Sequence, residues 1–473
     1  MRWKGNGMKL TFFGANRQVT GSRYCLEAAG RTVLIDCGLF QERPFLERNW
    51  KQCPVPPQSI EAVLLTHAHL DHSGLLPRLV RHGFHGPIYT TGASAELAAL
   101  VLHDSARLQQ EDLEIKQARH QREGRLSPHP YEPLYTPDDA QRALGLFRRV
   151  AYDQPLKVDQ ALTVTWHDAG HILGSGLLEI VVREGERERH LVFSGDLGQW
   201  NTPIIKDPTL LTRADYVVME STYGDKDHDG AGTIEEQLAR VINETHARGG
   251  NLIVPTFAIE RAQELVFYLG RLTRAGKIPH LMVFLDSPMA VDATDIFRRH
   301  PECFDPQIQA LLKQQESPFT PPGVVFCRTT DQSKAINHLR GSAIIMAGSG
   351  MCTGGRIKHH LDHHLERPES TILFVGYQSQ GTLGRQIMDG AREVRLFGRM
   401  RPVRAQVAQI HGMSAHAGRS DLLRWIGSLQ AAPRQVFITH GEEEVSLALA
   451  RELQQKFQWN VLVPQYGQAA ELP

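Results

Sequence analysis

Two kinds of hydrophobic patterning divide the chain. In the first half, short apolar runs recur: KLTFFG, TVLIDCG, AVLLTH, LTVTWHDAG and HLVFSGD. Each closes on Gly, Asp or His. Runs of about four or five apolar residues bounded in this way predict strands buried on both faces of a layered α/β fold. Polar side chains therefore collect at strand ends. Between residues 85 and 150 the pattern lengthens. SAELAALVLHDSARLQQEDLEIKQ predicts a helix, and TPDDAQRALGLFRRV predicts a capped helix starting at Thr136 or Pro137.

From about residue 225 helix and strand alternate. TIEEQLARVINETHARGG predicts an amphipathic helix ending at Gly249-Gly250, and RAQELVFYLGRL another helix. NLIVPTF, HLMVFLDS, SAIIMAG and STILFVGYQ predict strands, which together indicate a parallel sheet. From about His411 short motifs return, HGMSAHAGRSDLLRWI and QVFITHGEE. No internal repeat or low-complexity tract is visible.

Composition narrows the class. A chain of 473 residues is too long for one ordinary core, so two domains or one domain with a large insertion are expected. No segment reads as a membrane span, and the first residues lack the apolar core of a secretory signal. Met1 to Gly7 read as a ragged leader before a strand beginning at Met8. The cysteines, Cys25, Cys37, Cys53, Cys303, Cys327 and Cys352, form no CxxC pair. They fit free thiols in a reducing cytoplasm, so the expected location is cytoplasmic. Lys plus Arg and Asp plus Glu both total 52. A neutral chain is not drawn to nucleic acid by bulk charge, although a local basic groove stays open.

The densest chemistry lies in LLTHAHLDHSG. His67 and His69 alternate beyond a strand end and point to one side, while Asp71 and His72 face a neighbouring position as a helix begins. One loop thus serves two adjacent metal sites but fills neither. His171 in DAGHILGSG, Asp196 in FSGDLG and His440 in ITHGE are the candidates to complete them, since each follows an apolar strand beside Gly. Imidazole and carboxylate suit zinc, and a carboxylate's two oxygens make Asp196 the natural bridge.

With these motifs in place, the chain resembles the metallo-β-lactamase superfamily: HAHLDH is preceded by Asp36 in LIDCG and followed by His171 and Asp196. Its second half is similar to the β-CASP branch of that superfamily, the nucleic-acid nucleases. Glu220 in MESTYGD matches motif A, His416 in HGMSAHAG motif B and His440 motif C. PTFAIERAQEL, AGSGMCTGGR and GYQSQGTLGR resemble bacterial and cleavage-factor members. The resemblance implies an α/β fold, an αββα sandwich carrying an inserted β-CASP domain with a parallel sheet. The expected division is 1–222 and 411–473 for the sandwich and 223–410 for the insert. His at motif C resembles the RNA-acting group.

The function so implied is hydrolysis of RNA phosphodiester bonds by two zinc ions, with manganese as the alternative, in RNA processing or decay. His67, His69, His171 and Asp196 would hold one ion, and Asp71, His72, Asp196 and His440 the other. A hydroxide shared by the ions would attack phosphorus. His416 would protonate the leaving oxygen or hold the scissile phosphate, Glu220 would orient His416, and Asp36 would support the site through hydrogen bonds. Endonuclease and 5′-exonuclease modes both stay open.

The family keeps a substrate cleft between its domains. Ser349 and Gly350 offer a hydroxyl and backbone N–H groups to a phosphate, or form an ordinary glycine-rich turn. Arg356 follows closely. Arg395, Arg399, Arg401 and Arg404 read either as a groove for single-stranded RNA or as a solvated surface strand. KHHLDHHLE reads as a surface helix with a few histidines, since no carboxylate or cysteine set accompanies it. No extension of the RNase J kind follows motif C, so a homodimer is left open. Two other classes share part of the pattern. A small-molecule metallo-hydrolase of the glyoxalase II type would carry HAHLDH without the second-half motifs. A non-catalytic RNA-binding scaffold would have lost ligands, and none is missing here.

Overall fold

The computed structural model describes residues 7–126, 131–228, 233–339, 341–376, 378–410 and 412–473. Nearly all of the leader proposed at Met1 to Gly7, Tyr377 of GYQSQGTLGR and the boundary residue His411 lie outside the described residues. Two compact units emerge. The first comprises Met1–Asn201, Asp207–Asp227 and His416–Pro473, and the second Thr202–Lys206 and His228–Ala415.

The first unit is a sandwich of two seven-stranded sheets. One sheet runs in the order Ala469–Leu472, Met8–Phe12, Tyr24–Ala28, Arg31–Ile35, Ala62–Leu64, Ile88–Thr91, Phe147–Val150. The other runs Val461–Leu462, Gln435–Ile438, Tyr216–Met219, Arg187–Phe193, Gly176–Glu184, Leu162–Asp168, Leu156–Lys157. Alternate residues of the two sheets share one core: Leu10, Phe12, Val33 and Ile35 meet Trp166, Ile180, Phe193 and Phe437. The Phe12 and Phe437 rings lie 5.0 Å apart. Leu34 and Val63 are equally buried on the opposite face, which is why these runs are continuously apolar rather than alternating. Helices Arg419–Ile426 and Glu443–Phe457 cover the outer face of the second sheet through Leu422, Trp425, Leu449 and Leu453.

The expected helices form at their caps. Thr136 and Asp139 make a reciprocal capping box that starts Pro137–Leu144. That helix stops short of FRRV. Phe147–Val150 is instead an edge strand paired in parallel with Ile88–Thr91, because Gly145 ends the helix and the β-sheet edge offers Phe147 a partner.

The second unit is built on a six-stranded parallel sheet in the order Val324–Phe326, Met282–Leu285, Ala343–Ala347, Leu252–Pro255, Thr371–Val375, Gln406–Ile410. Every strand but the edge strand Gln406–Ile410 feeds two cores. Leu252, Val254, Ile344, Met346, Leu373 and Val375 face helices Ile234–Ala247, Arg261–Arg274 and Pro288–Arg299. Ile253, Ile345, Ile372 and Phe374 face Ile357–His364 and Leu383–Met388. This is the layering of a doubly wound sheet.

The helix Ile357–His364 corrects one expectation. Only His359 and His363 are exposed. His360 and His364 are 1% and 2% exposed. A carboxylate does accompany them: Asp286, itself buried, pairs with His360 Nε2 at 2.7 Å and with Arg356 Nη1 at 2.7 Å. Periodicity puts the two histidines on the inner face, and the partner comes from a different strand end, invisible to a local reading.

Candidate metal centre

Strand register explains why distant residues meet. Ile35 pairs with Leu64 in parallel, so Asp36 and Thr66 emerge side by side. In the second sheet Phe193 pairs with Val218, and Met219 with Ile438, again in parallel. Asp196, Glu220 and His440 therefore leave one edge. Leu162–Asp168 runs the same way, two antiparallel steps along, and delivers His171 in the turn that follows.

The connecting loops approach closely. Gly198 lies so near Gly170 that an added Cβ would sit 1.6 Å from the Gly170 carbonyl oxygen. Gly195, just before Asp196, holds φ +54. Asp36 and His440 also hold positive φ, +58 and +51, a conformation that non-glycine residues adopt rarely and that clusters at functional sites. The His440 amide donates to the Ala15 carbonyl at 2.7 Å, which fixes this turn.

Two sets of donor atoms converge. In the first, His69 Nδ1 is 3.1 Å from His67 Nε2 and 3.2 Å from His171 Nε2. Asp196 Oδ2 is 3.4 Å from each of those two Nε2 atoms. In the second, His72 Nε2 is 3.1 Å from His440 Nε2 and 3.2 Å from Asp196 Oδ1. His440 Nε2 is 3.4 Å from both Asp71 Oδ2 and Asp196 Oδ1. Asp196 thus gives one oxygen to each set. A tetrahedral zinc ion with ligands at about 2.0–2.1 Å has ligand–ligand edges of about 3.3–3.4 Å. The observed spacings match those edges. Asp196 Oδ1 is also buried without a hydrogen bond, an orphaned acceptor that a cation would satisfy.

Electrostatics agree. Burial drives the His67 imidazole down to about 3, with neighbouring His72 adding to the shift. Burial and then His416 drive His171 well below the ordinary value. Both rings are therefore neutral and keep the lone pair that a metal needs. Burial opposes ionisation of Asp196, but His440, His72 and His67 hold its carboxyl far below the usual range. Burial also lowers His72, yet Asp196 and Asp36 outweigh it and leave the ring raised. Asp36, Asp71 and Asp196 make a negative region that a cation would neutralise.

A supporting layer fixes the rings. Asp36 Oδ2 is 2.7 Å from His72 Nδ1, and Asp36 Oδ1 accepts from the Thr66 amide at 2.8 Å. The Thr66 hydroxyl is 3.1 Å from His67 Nδ1, and the Thr222 hydroxyl 3.1 Å from His440 Nδ1. Thr66 and Thr222 escaped the sequence reading. Their signal was a hydroxyl at a strand end beside a candidate ligand, in LLTH and MEST. His416 borders the first set, its Nδ1 4.0 Å from Asp196 Oδ2 and its ring centroid 4.5 Å from that of His171, and with Asp196 and Glu220 it forms a third group of converging donor atoms. Its Nδ1 is 3.2 Å from Glu220 Oε1, and Glu220 also accepts from the Leu197 amide at 2.6 Å. Against burial, the Glu220 charge and hydrogen bond raise His416 to about 9, with Asp196 adding to the effect.

The chain matches the metallo-beta-lactamase superfamily over residues 20–222, the beta-Casp domain over 262–387 and the Zn-dependent metallo-hydrolase RNA specificity domain over 400–464. It is 40% identical to a ribonuclease of Thermus thermophilus across 94% of this chain and 96% of that protein. The chain belongs to the β-CASP family of metallo-β-lactamase hydrolases. This β-CASP chain is also 30% identical to the transcription termination factor FttA of Methanocaldococcus jannaschii, over 97% of this chain and 70% of that one. A crystal structure of a protein of unknown function from Enterococcus faecalis shares the fold, with a TM-score of 0.56 at 13% identity over 99% of this chain and 100% of that one. This β-CASP chain is a metal-dependent hydrolase.

The remaining sequence-proposed residues lie in the second unit. Ser349 Oγ accepts from the Thr353 and Gly354 amides at 3.0 and 3.2 Å, so its hydroxyl closes its own loop. The Gly350 carbonyl accepts from Gln378 at 2.9 Å. Arg356 is spent on Asp286 and on the Cys327 and Arg328 carbonyls. Arg401 forks onto Asp362 at 2.7 and 3.1 Å and reaches Glu366. Arg395 and Arg399 are exposed and carry no ion pair among the described residues. Among the described residues no helix is long and apolar enough to cross a membrane.

Proposed function

We propose that this chain is a zinc-dependent ribonuclease that hydrolyses single-stranded RNA at a dinuclear site. The observation that carries the reading is Asp196, whose two carboxylate oxygens serve two donor sets at tetrahedral spacing. The first ion would be held by His67, His69, His171 and Asp196, the second by Asp71, His72, Asp196 and His440. Two zinc ions bound there would supply an activated water and stabilise charge on a phosphoryl oxygen.

The chain's own groups do the rest. Neutral His67 and His171 offer lone pairs. Asp36 and the Thr66 and Thr222 hydroxyls hold ring orientation through the nitrogens that face away from the donor sets. Glu220 anchors His416 through Nδ1 at 3.2 Å and fixes the orientation of its ring. His416, raised chiefly by the Glu220 charge and hydrogen bond, would carry the proton that the leaving oxygen needs. RNA as substrate is supported by the likeness to the Thermus thermophilus ribonuclease and by the match to the RNA specificity domain.

The test is cleavage of a single-stranded RNA labelled at either end, beside the matched DNA, by wild type and by the Asp71→Ala, His72→Ala double variant, with zinc content measured in both. RNA cut by wild type and spared by the variant is the expected result, and the label pattern separates internal cuts from 5′ trimming. A zinc-loaded wild type that cuts neither strand overturns the proposal.

A further inference from the structure

The hairpin formed by Glu393–Leu396 and Arg399–Pro402 turns at Phe397–Gly398. Phe397 and Gly398 have φ +48 and +78. A two-residue turn with both residues left-handed favours Asn-Gly or Asp-Gly. Phenylalanine is among the least suited residues for that conformation, and its side chain is left half-exposed there, at 50%. An exposed aromatic held at a strained tip needs a reason outside the fold.

The ring is supported from beneath. The His359 ring lies 4.7 Å away at 31°, and Lys358 Nζ is 5.2 Å from the Phe397 ring centre. Met400, 47% exposed, sits across the hairpin from Arg395. Lys358, Arg395 and Arg399 carry no ion pair among the described residues, while the acids of this region are already engaged. Asp362 and Glu366 are taken by Arg401, and Asp389 by Arg385. Glu393 alone stands opposite Pro402 at the hairpin's base. A chain of zero net charge thus concentrates positive charge around one exposed aromatic ring.

We propose that the Phe397 tip, with Lys358, His359, Arg395 and Arg399, is a contact for single-stranded RNA outside the metal-holding residues. Phe397 stacks on an unpaired base, and Lys358, Arg395 and Arg399 hold the flanking phosphates. This rests on the RNA reading above. A second copy of the chain fits less well, because a twofold contact would set these cations against their own symmetry mates with only Glu393 of the hairpin to offset them. The proposal also reassigns Arg401, whose pairing with Asp362 braces the hairpin rather than facing a ligand.

The test is anisotropy of a fluorescent single-stranded RNA on the full chain in the non-cleaving Asp71→Ala, His72→Ala background. Phe397→Asn relaxes the turn and removes the ring, so lost binding does not reflect lost folding. It is expected to weaken binding by about fivefold or more, with Phe397→Tyr restoring it. Arg395→Gln with Arg399→Gln is expected to flatten the slope of log affinity against log salt by about 0.7 for each lost phosphate contact. Phe397→Asn leaves that slope unchanged. Hydrolysis of a small phosphodiester by otherwise wild-type Phe397→Asn stays at the wild-type rate.

Equal affinity with and without the ring overturns the proposal. So does a wild-type dimer, seen by sedimentation, that Phe397→Asn dissociates. If wild type cuts RNA and Phe397→Asn binds and cuts equally well, the contact fails and the ribonuclease reading stands. If no RNA is cut yet binding still depends on Phe397, the contact stands and the ribonuclease reading fails.

Discussion

Asp36→Asn separates the two donor sets. Asp36 touches His72 of the second set directly and reaches the first through the Thr66 hydroxyl, which is 3.0 Å from Asp36 Oδ2 and 3.1 Å from His67 Nδ1. The pair is buried, with side-chain exposures of 1% and 2%, so solvent cannot substitute for it. Asp36 accepts the His72 Nδ1 proton at 2.7 Å, so that Nε2, the atom that faces Asp196 and His440, is the nitrogen a cation would take in exchange for its proton. Asparagine is isosteric. Its oxygen stays with the Thr66 amide, and its NH₂ then faces His72. The ring must either leave two donors opposed or move its proton to Nε2, where it blocks a cation. Loss of such a supporting contact weakens metal affinity by about 10–100-fold, or about 1.4–2.7 kcal/mol. The assay is competitive zinc titration against a chromophoric chelator, with bound zinc counted after dialysis. One tight and one weakened site are expected. Two unchanged sites, or equal weakening of both, refute the reasoning.

Further outcomes follow from the same geometry. His416→Ala should keep its zinc and lose about 10²–10⁴-fold in turnover, since it removes a proton donor and no ligand. Glu220→Gln should shift the His416 titration, followed by NMR in the metal-free protein, down from about 9 towards the ordinary histidine value. His364 is buried with neither ring nitrogen bonded, and burial, then Arg367, lowers it to about 3. The unfolded chain takes up a proton near 6.5 that the folded chain refuses, so stability falls as pH drops from about 6.5 to about 3. His364→Leu should remove that slope, leaving the variant about 2 kcal/mol better off at pH 5 than the wild-type trend, as read by urea denaturation. Gly198→Ala should destabilise the first unit by about 2–4 kcal/mol, because its Cβ meets the Gly170 backbone, and calorimetry checks this.

The sequence by itself determined the local elements and the chemistry each one carries. Apolar runs ending in Gly, Asp or His identified the strands and placed polar side chains at their ends. HAHLDH announced a metal-type cluster because three imidazoles and a carboxylate lie within six residues. The cap read at Thr136 or Pro137 marked a helix start that the structure keeps.

Other features were decided only by tertiary structure, because they depend on register between strands far apart in sequence. That Asp196 turns one oxygen to each donor set follows from parallel pairing of Arg187–Phe193 with Tyr216–Met219, and of that strand with Gln435–Ile438. That Thr66 and Thr222 hold imidazole rings follows from the same alignment. Local pattern misread two places for one physical reason. FRRV carries helical periodicity but meets a free sheet edge. His360 lies on a polar-looking helix but meets Asp286 from another strand. Arg401, in a basic run, likewise pairs with Asp362, a neighbour supplied by folding.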